Sequence, residues 1–354
     1  MTTPAVSPSR TWRFALNKFV VHDGTTAGGD EDANNAKKKV LLFIKDSLTT
    51  LGANPWTVVA SVGFSSGFNG AGDNWTSFSE IRWTTTTTGR PWIQLRNAAM
   101  GLEMLFECAR GAANTRGSRA NIYVTRSSSP FTGGSVNARP TSSSEVLALD
   151  TDSTTGFGNW GVGGTATTAR DFVVHVWHDD AGGGSRVVIQ FNNKVRGIWF
   201  LDALSDNQAG ITNPWAVSFR SNDSSDAPDT GLRSHYLNTE NFVTANQSNT
   251  RVFAFLGAYG IGPAAGGPPS TSLVFGRNAY DGSRVLSETG IVVESDGTLY
   301  RGKLPDVWVG PAVESASGVL SSATMHTFSN KSLVQIGDFI LPWDGVSSVR
   351  VSTV

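Results

Sequence analysis

Apolar residues between positions 36 and 51 recur at spacings of three and four, at Val40, Leu41, Ile44, Leu48 and Leu51. This spacing is typical of an amphipathic helix. Gly52 follows at once and supplies a helix stop. The pattern therefore predicts a helix over 36–51 that covers a sheet.

Most other apolar segments are short, carry β-branched or aromatic residues and often alternate with a period of two, which indicates strands. The Gly-rich segment 179–184 joins two of them into a hairpin, and 295–297 joins another pair. These patterns predict a mainly β fold, a β-sandwich or a jelly-roll-like architecture, with one amphipathic helix packed on the N-terminal part. The predicted strands are 12–21, 56–62, 78–83, 91–96, 102–109, 121–126, 171–178, 185–191, 197–201, 215–220, 251–256, 272–275, 290–294, 298–301 and 332–341.

Turn-forming residues suggest a division of the chain into regions. Residues 1–11 are rich in Ser, Thr and Pro and are predicted to form a flexible N-terminal arm, followed by a helix-plus-sheet region over 12–126. Residues 127–144 contain two prolines and two adjacent glycines, which predicts a linker or long loop. The remainder, 145–354, is predicted to be a β-rich C-terminal region.

Charge argues against several kinds of partner. The 28 Lys and Arg residues balance 29 Asp and Glu residues, and Lys37, Lys38 and Lys39 form the only basic cluster. Since nucleic-acid binding depends on clustered cations, the sequence predicts no nucleic-acid partner. No apolar run approaches the roughly 20 residues of a membrane-spanning helix, so no membrane partner is predicted either. The start of the chain lacks the pattern of a signal peptide, which predicts that the protein is made and kept in the cytoplasm until lysis.

Residues with reactive side chains form no convincing catalytic or metal-binding pattern. The single cysteine, Cys108, alternates with Leu102, Met104 and Phe106 and is predicted to be a core residue. His175 and His178 have opposite parity in one predicted strand, so they face opposite sheet surfaces and do not share an ion.

Candidate acids for glycosidase chemistry also sit in predicted strands, at Glu80, Glu103 and Glu107, with ordinary neighbours. No phosphate-binding loop occurs. The sequence therefore predicts that the protein is not an enzyme and has no catalytic site, no cofactor and no metal.

Aromatic residues are the remaining feature, with eleven tryptophans in the chain. Large rings fill cores, anchor protein interfaces or stack on sugars. Trp12 and Phe14 lie in a segment that is either a first strand or an arm packed on a neighbour. Phe64 and Phe68 lie among glycines, where they either meet a partner or fold back over their own sheet. These four residues are the predicted interface residues.

Four short motifs in the first third of the chain resemble a family of virion structural proteins of tailed bacteriophages. Members of that family share a similar succession of elements, namely a leading helix, a Trp-x-Val-Val strand, an Asp-x-Trp turn and a Trp-Ile-x-Leu strand. The motifs are Trp56-Thr57-Val58-Val59-Ala60-Ser61, Gly72-Asp73-Asn74-Trp75-Thr76, Ile81-Arg82-Trp83 and Pro91-Trp92-Ile93-Gln94-Leu95-Arg96. The segment 336–345 also resembles the close of such chains.

The resemblance implies a structural component of a tailed phage particle, more tail-associated than capsid, located in the virion and assembled in the host cytoplasm. Its partners would be other copies of itself and other virion proteins. Two alternatives stay open. A carbohydrate- or receptor-binding tail module that meets a surface glycan would expose tryptophans on one rim, whereas a glycan-cleaving virion enzyme would hold two facing carboxylates in a cleft.

Overall fold

The structure is a computed structural model of the chain. It describes residues 10–22, 29–62, 92–110, 118–135, 138–142, 147–151, 169–191, 194–206, 214–221, 232–237, 250–254, 260–261, 287–293, 299–309, 324–328, 331–336, 339–343 and 349–351.

These residues form one helix and nineteen strands. The helix α1 spans Gly29–Thr50. The strands are β1 (Trp12–His22), β2 (Thr57–Val62), β3 (Trp92–Asn97), β4 (Leu102–Arg110), β5 (Ser118–Arg126), β6 (Leu147–Thr151), β7 (Ala169–Asp179), β8 (Ser185–Phe191), β9 (Lys194–Asp202), β10 (Trp215–Ser221), β11 (Leu232–Leu237), β12 (Thr250–Ala254), β13 (Gly260–Ile261), β14 (Ser287–Val293), β15 (Leu299–Val309), β16 (Thr324–Phe328), β17 (Lys331–Ile336), β18 (Phe339–Trp343) and β19 (Val349–Val351).

The strands form three sheets. A seven-stranded sheet, here called the central sheet, has the order β11-β10-β9-β8-β7-β1-β19, and all its pairs are antiparallel except β1 with β19. The five-stranded sheet has the order β2-β3-β4-β5-β6, and the C-terminal sheet has the order β13-β12-β14-β15-β18-β17-β16. The predicted mainly β fold with one helix is confirmed.

The central sheet is buried on both faces. Ala15 pairs with Val176, and both face a core cluster that contains the buried residues of α1 and of strands β3 to β5. Their chain neighbours, Phe14 and Trp177, pair with each other and face the opposite way, because side chains alternate along a strand. On this second face the Trp177 Nε1 donates to the Pro342 carbonyl at 2.8 Å, so the C-terminal sheet covers it. The three sheets are therefore stacked in sandwich-like layers.

The buried face of the helix is as predicted, but the helix begins earlier than predicted. Val40, Leu41, Ile44 and Leu48 are fully buried, as their spacing predicted. However, α1 begins at Gly29, seven residues before the predicted start. The added turns are polar, with Asp30, Glu31 and Asp32 near the positive end of the helix dipole, so apolar periodicity does not mark them.

Most predicted strands in the described segments are confirmed, but one is wrong, and five described strands, β6, β11, β13, β16 and β19, were not predicted. The segment 332–341, predicted as one strand, forms two antiparallel strands, β17 and β18, that pair with each other through Ile336 and Phe339. Between them in the sequence stand Gly337 and Asp338, residue types that are typical of tight turns. The predicted strands 78–83 and 272–275 lie outside the described residues.

The segment predicted as a linker is attached to the five-stranded sheet where it is described. Thr132 and Thr141 pair as an antiparallel bridge, and Phe131 is buried against Trp92 and Leu105. The last two residues of the predicted arm, Arg10 and Thr11, are also bound. The Thr11 carbonyl accepts a hydrogen bond from the Asp180 amide at 2.9 Å.

Candidate functional site

Two of the four predicted interface residues are buried within the chain. Trp12 is 2% exposed and Phe14 is 0% exposed, and their covering residues come from this same chain. Phe14 packs against Trp177 with the two rings tilted and their centroids 4.8 Å apart. Neither ring is exposed in the structure, and the interface role of Trp12 and Phe14 stays a prediction. Phe64 and Phe68 lie outside the described residues.

The two histidines of β7 lie on opposite faces of the central sheet, as their parity requires. His175 stacks on Trp177 with centroids 5.7 Å apart, on the face toward the C-terminal sheet. His178 lies on the helix-facing side, with Nδ1 3.1 Å from the Ser185 Oγ. In the part of the chain that the structure describes, no group of three metal-ligating side chains comes together.

The most highly charged buried site lies where the central sheet meets the C-terminal sheet. We call it the arginine cluster, and it consists of Arg10, Trp12, Asp179, Arg186, Asp202 and Asp306. β8 places Arg186 beside Trp177 and Phe200 in register, on the face toward the C-terminal sheet. Its guanidinium lies over the Trp12 ring, 3.7 Å from the centroid, in a cation–π contact.

A distortion in β15 supplies the acceptors for Arg186. The pairing of β14 with β15 jumps from Trp308 to Leu304 between consecutive residues of β14, so the intervening residues bulge. Asp306 in this bulge has a φ of 55°, a left-handed conformation that non-glycine residues rarely adopt. The bulge turns the Asp306 carbonyl toward Arg186 Nη1 at 2.9 Å, and Nη2 donates to the Pro305 carbonyl. The Asp306 carboxylate accepts from Trp12 Nε1 at 2.9 Å.

Carboxylates at two strand ends complete the arginine cluster. Asp202 accepts from Arg10 Nη1 at 2.8 and 3.0 Å and lies 3.5 Å from Arg186 Nη2. Asp179 lies 3.8 Å from Arg10. Burial lowers the pKa of Arg186 to about 10, so it stays charged at neutral pH. Burial acts in the same direction on Arg10, but Asp202 and then Asp179 outweigh it and raise its pKa.

A second polar site fastens the end of α1 to the turn between β7 and β8. The Ser185 hydroxyl receives a hydrogen bond from Trp56 Nε1 at 2.8 Å and contacts His178. Asp180 accepts from the Ala53 amide at 3.0 Å and pairs with Arg13 at 2.8 Å. Burial lowers the pKa of His178, against smaller opposing effects of the Asn54 backbone, Asp179 and Asp180.

Ser185 and His178 have the residue types of a nucleophile and its base, but the environment is that of a core. Both side chains are 0% exposed. The hydroxyl that would attack a substrate also donates to the Gly183 carbonyl at 3.2 Å. A nucleophile needs access to its substrate, so the geometry supports a role in holding the turn together.

Glu103, one of the candidate acids, is bonded through both carboxylate oxygens. Oε1 accepts from Arg96 at 2.7 and 2.5 Å, and Oε2 accepts from Gln94 at 2.8 Å and from the Phe131 amide at 3.0 Å. Four donors thus bind this fully buried carboxylate. Glu103 thus joins β3, β4 and the segment at Phe131. Glu107 is also buried and lies 3.5 Å from the Tyr123 hydroxyl, and Glu80 lies outside the described residues.

The most exposed large apolar side chains of the described residues are Val58 and Val59, at 52% and 42%. Both belong to β2, which is the outermost strand of the five-stranded sheet. This strand has no buried residue along its length, whereas its neighbour β3 is buried at five of six positions. The layer that covers β3 therefore does not extend over β2.

No family model matches the chain, and neither the curated proteins nor the solved structures contain a match. Among the described residues, no helix combines the length and the apolar character that crossing a membrane requires. The described residues form a mainly β body of three sheets and one helix, which contains an apolar core cluster and buried ion pairs.

Sequence reasoning missed the arginine cluster because its members come from distant parts of the chain. Trp12 and Asp306 are separated by 294 positions. The sequence did hold one signal: the charged residue Arg186 directly precedes the apolar run Val187-Val188-Ile189 in the same strand. Since arginine is almost never fully buried without a partner, its place in that strand indicates a buried ion pair.

Proposed function

We propose that this chain is a structural subunit of a tailed bacteriophage particle, more tail-associated than capsid, which assembles through repeated contacts with copies of itself and with other virion proteins. The observation that carries the proposal is the use of buried polar groups. Arg186, Glu103 and the pair of His178 and Ser185 all bind parts of the chain's own scaffold. Such bonding stabilises a fixed shape, which is what a particle component contributes.

Two of the four motifs that resemble phage virion proteins lie in the described residues, at 56–61 and 92–96, and there they occupy structural positions. Trp56 is buried in the core, with its indole nitrogen bonded to Ser185. Trp92 and Leu95 in β3 are buried on opposite faces of the five-stranded sheet. These motif residues are part of the buried core, which supports a structural role for the protein.

The test is to locate the protein in the particles whose genome encodes it. Purified particles are analysed by quantitative mass spectrometry, and cryo-electron microscopy then assigns its density. The expected result is a constant copy number per particle and a symmetric arrangement within the tail. Absence of the chain from purified particles, or its presence only as a free monomer in the lysate, would overturn the proposal.

A further inference from the structure

Residues 10–13, here called the N-terminal strap, run from the end of β7 to the end of β9. The Thr11 carbonyl accepts a hydrogen bond from the Asp180 amide at 2.9 Å, directly after β7. Arg10 reaches the last residue of β9, where its Nη1 donates to both carboxylate oxygens of Asp202 at 2.8 and 3.0 Å. The strap therefore crosses the central sheet beside the β7–β8 turn.

Asp202 is shared between two arginines that bind it unequally. Its side chain is almost completely buried, and its described donors are Arg10, Arg186 and the Ala203 amide. Arg10 Nη1 lies 2.8 Å from Oδ2, whereas Arg186 Nη2 lies 3.5 Å from the same oxygen. Because a buried carboxylate is strongly attracted to a nearby cation, its close pair with Arg10 limits its approach to Arg186.

The same nitrogen of Arg186 also binds the C-terminal sheet. Nη2 donates to the Pro305 carbonyl, and Nη1 donates to the Asp306 carbonyl at 2.9 Å. Both carbonyls belong to the bulge of β15. A carboxylate attracts a guanidinium more strongly than a neutral carbonyl does, so a closer approach of Asp202 would draw Nη2 away from β15.

We propose that the N-terminal strap is a conformational lock for the C-terminal sheet, in which Arg10 acts through Asp202 to keep Arg186 on the carbonyls of β15. Release of Arg10 lets Asp202 turn toward Arg186, which weakens the bonds to the bulge and loosens this part of the sheet. Cleavage after Arg10, or binding of the strap by another protein, would therefore change the attachment of the C-terminal sheet. The lock is a property of the single chain, so its test is independent of the proposed function.

The test is native-state hydrogen exchange of full-length variants that change Arg10 and leave Trp12 intact. In R10M, exchange in β15 around Asp306 should accelerate at least about tenfold, because local opening follows local loss of stability. R10K keeps a cation without the planar guanidinium and should retain part of the protection. The matched control is R13M, which removes the strap's other arginine. Arg13 pairs with Asp180 outside the arginine cluster, so this variant should leave exchange in β15 unchanged.

A double variant separates the lock from a general loss of stability. In R10M/D202N the group that would draw Arg186 away is neutral, while asparagine keeps the size of the side chain and an acceptor for the Ala203 amide. Exchange in β15 should therefore be slower than in R10M alone, although a second charge has been removed.

Two results would refute the lock. One is equal acceleration in all three sheets of R10M, and the other is exchange in R10M/D202N at least as fast as in R10M. Circular dichroism and the Tm show whether each variant folds. Should R10M fail to fold, the milder pair R10K and R13K decides. Faster exchange in β15 of R10K alone supports the lock, and equal rates in the two variants contradict it.

Discussion

Gly52 shows how a single backbone conformation can connect two elements. It follows α1 with a φ of 74°, and a Cβ added to it would overlap with Asp180 Oδ1 and lie 2.9 Å from His178 Cδ2. The end of the helix can approach the β7–β8 turn this closely only because residue 52 has no side chain. The helix stop that the sequence predicted is therefore also a contact site.

The G52A variant should be destabilised more than a control at another left-handed glycine. Gly101 has a φ of 63°, but its added Cβ would meet nothing within 4 Å. G101A should therefore cost about 1 kcal/mol of backbone strain, and G52A a further ~1–3 kcal/mol from overpacking. Urea unfolding measures both variants, and equal losses of unfolding free energy would show that the close approach to Asp180 is unimportant.

His178 should make the stability of the protein depend on pH. Burial lowers its pKa below the ordinary value of 6.5, so the unfolded chain binds a proton more readily than the folded chain. The contribution of neutral His178 is thus full above about pH 6.5 and declines as the pH falls toward the lowered folded value.

The measurement is the free energy of unfolding of wild type and H178Q between about pH 8 and about pH 5, the range in which histidine titrates. Glutamine is neutral throughout, so the variant should lose less stability than the wild type on acidification. Parallel curves for the two proteins would assign the acid sensitivity to other groups.

At the scale of elements, the alternation pattern predicted where strands lie but not which surface covers them. Trp12 and Phe14 show this limit. Their spacing fits one apolar face of β1, but the covering residues, such as Trp177, lie more than a hundred positions away. An intrachain core and an interface with a neighbour bury the same ring by the same physics, so a sequence pattern alone does not separate them.

The helix and the final hairpin show a second limit, which concerns boundaries. Periodicity located the buried turns of α1 correctly, because Val40, Leu41, Ile44 and Leu48 all belong to the core cluster. Its polar first turns carry no such signal. The segment 332–341 has the length and apolar content of a single strand, although β17 and β18 within it pair antiparallel. Whether such a segment forms one strand or two depends on how its side chains pack against neighbouring strands.

The hydrogen bonds between β8 and the bulge of β15 come from the side chain of Arg186. Replacing it in the R186M variant removes a buried cation and its donors to two carbonyls. Breaking a buried ion pair costs about 3–5 kcal/mol. The matched control is R13M, since the Arg13 side chain is 37% exposed in its pair with Asp180, and such a pair contributes about 0–1 kcal/mol. Similar midpoints for both variants in urea unfolding would contradict the central role of Arg186.

At the scale of the whole molecule, the central sheet contacts an outer layer on each of its two faces. One face holds α1 and the five-stranded sheet through a continuous apolar cluster. The other face holds the C-terminal sheet through hydrogen bonds and ion pairs, such as those of Trp177 and Arg186. Apolar contact tolerates small shifts, whereas directed bonds require one position. The C-terminal layer is therefore fixed in register by a few specific residues.

Two tryptophans on opposite faces of the central sheet allow the attachment of each layer to be weakened separately. Trp12 Nε1 donates to Asp306 in β15, and Trp56 Nε1 donates to Ser185 beside the β7–β8 turn. The changes W12F and W56F keep an aromatic ring and remove one buried hydrogen bond each, at about 1–3 kcal/mol.

Native-state hydrogen exchange should then distinguish the two attachments, because local opening follows local loss of stability. W12F should speed exchange mainly in the described part of β15 around Asp306, and W56F mainly in the turn near Ser185. The C-terminal sheet is held through a small set of directed bonds, so loss of one of them should raise exchange across the neighbouring residues of β15. Uniform acceleration in both variants would instead mean that the three layers unfold as one cooperative unit, with no separate attachment of the C-terminal sheet.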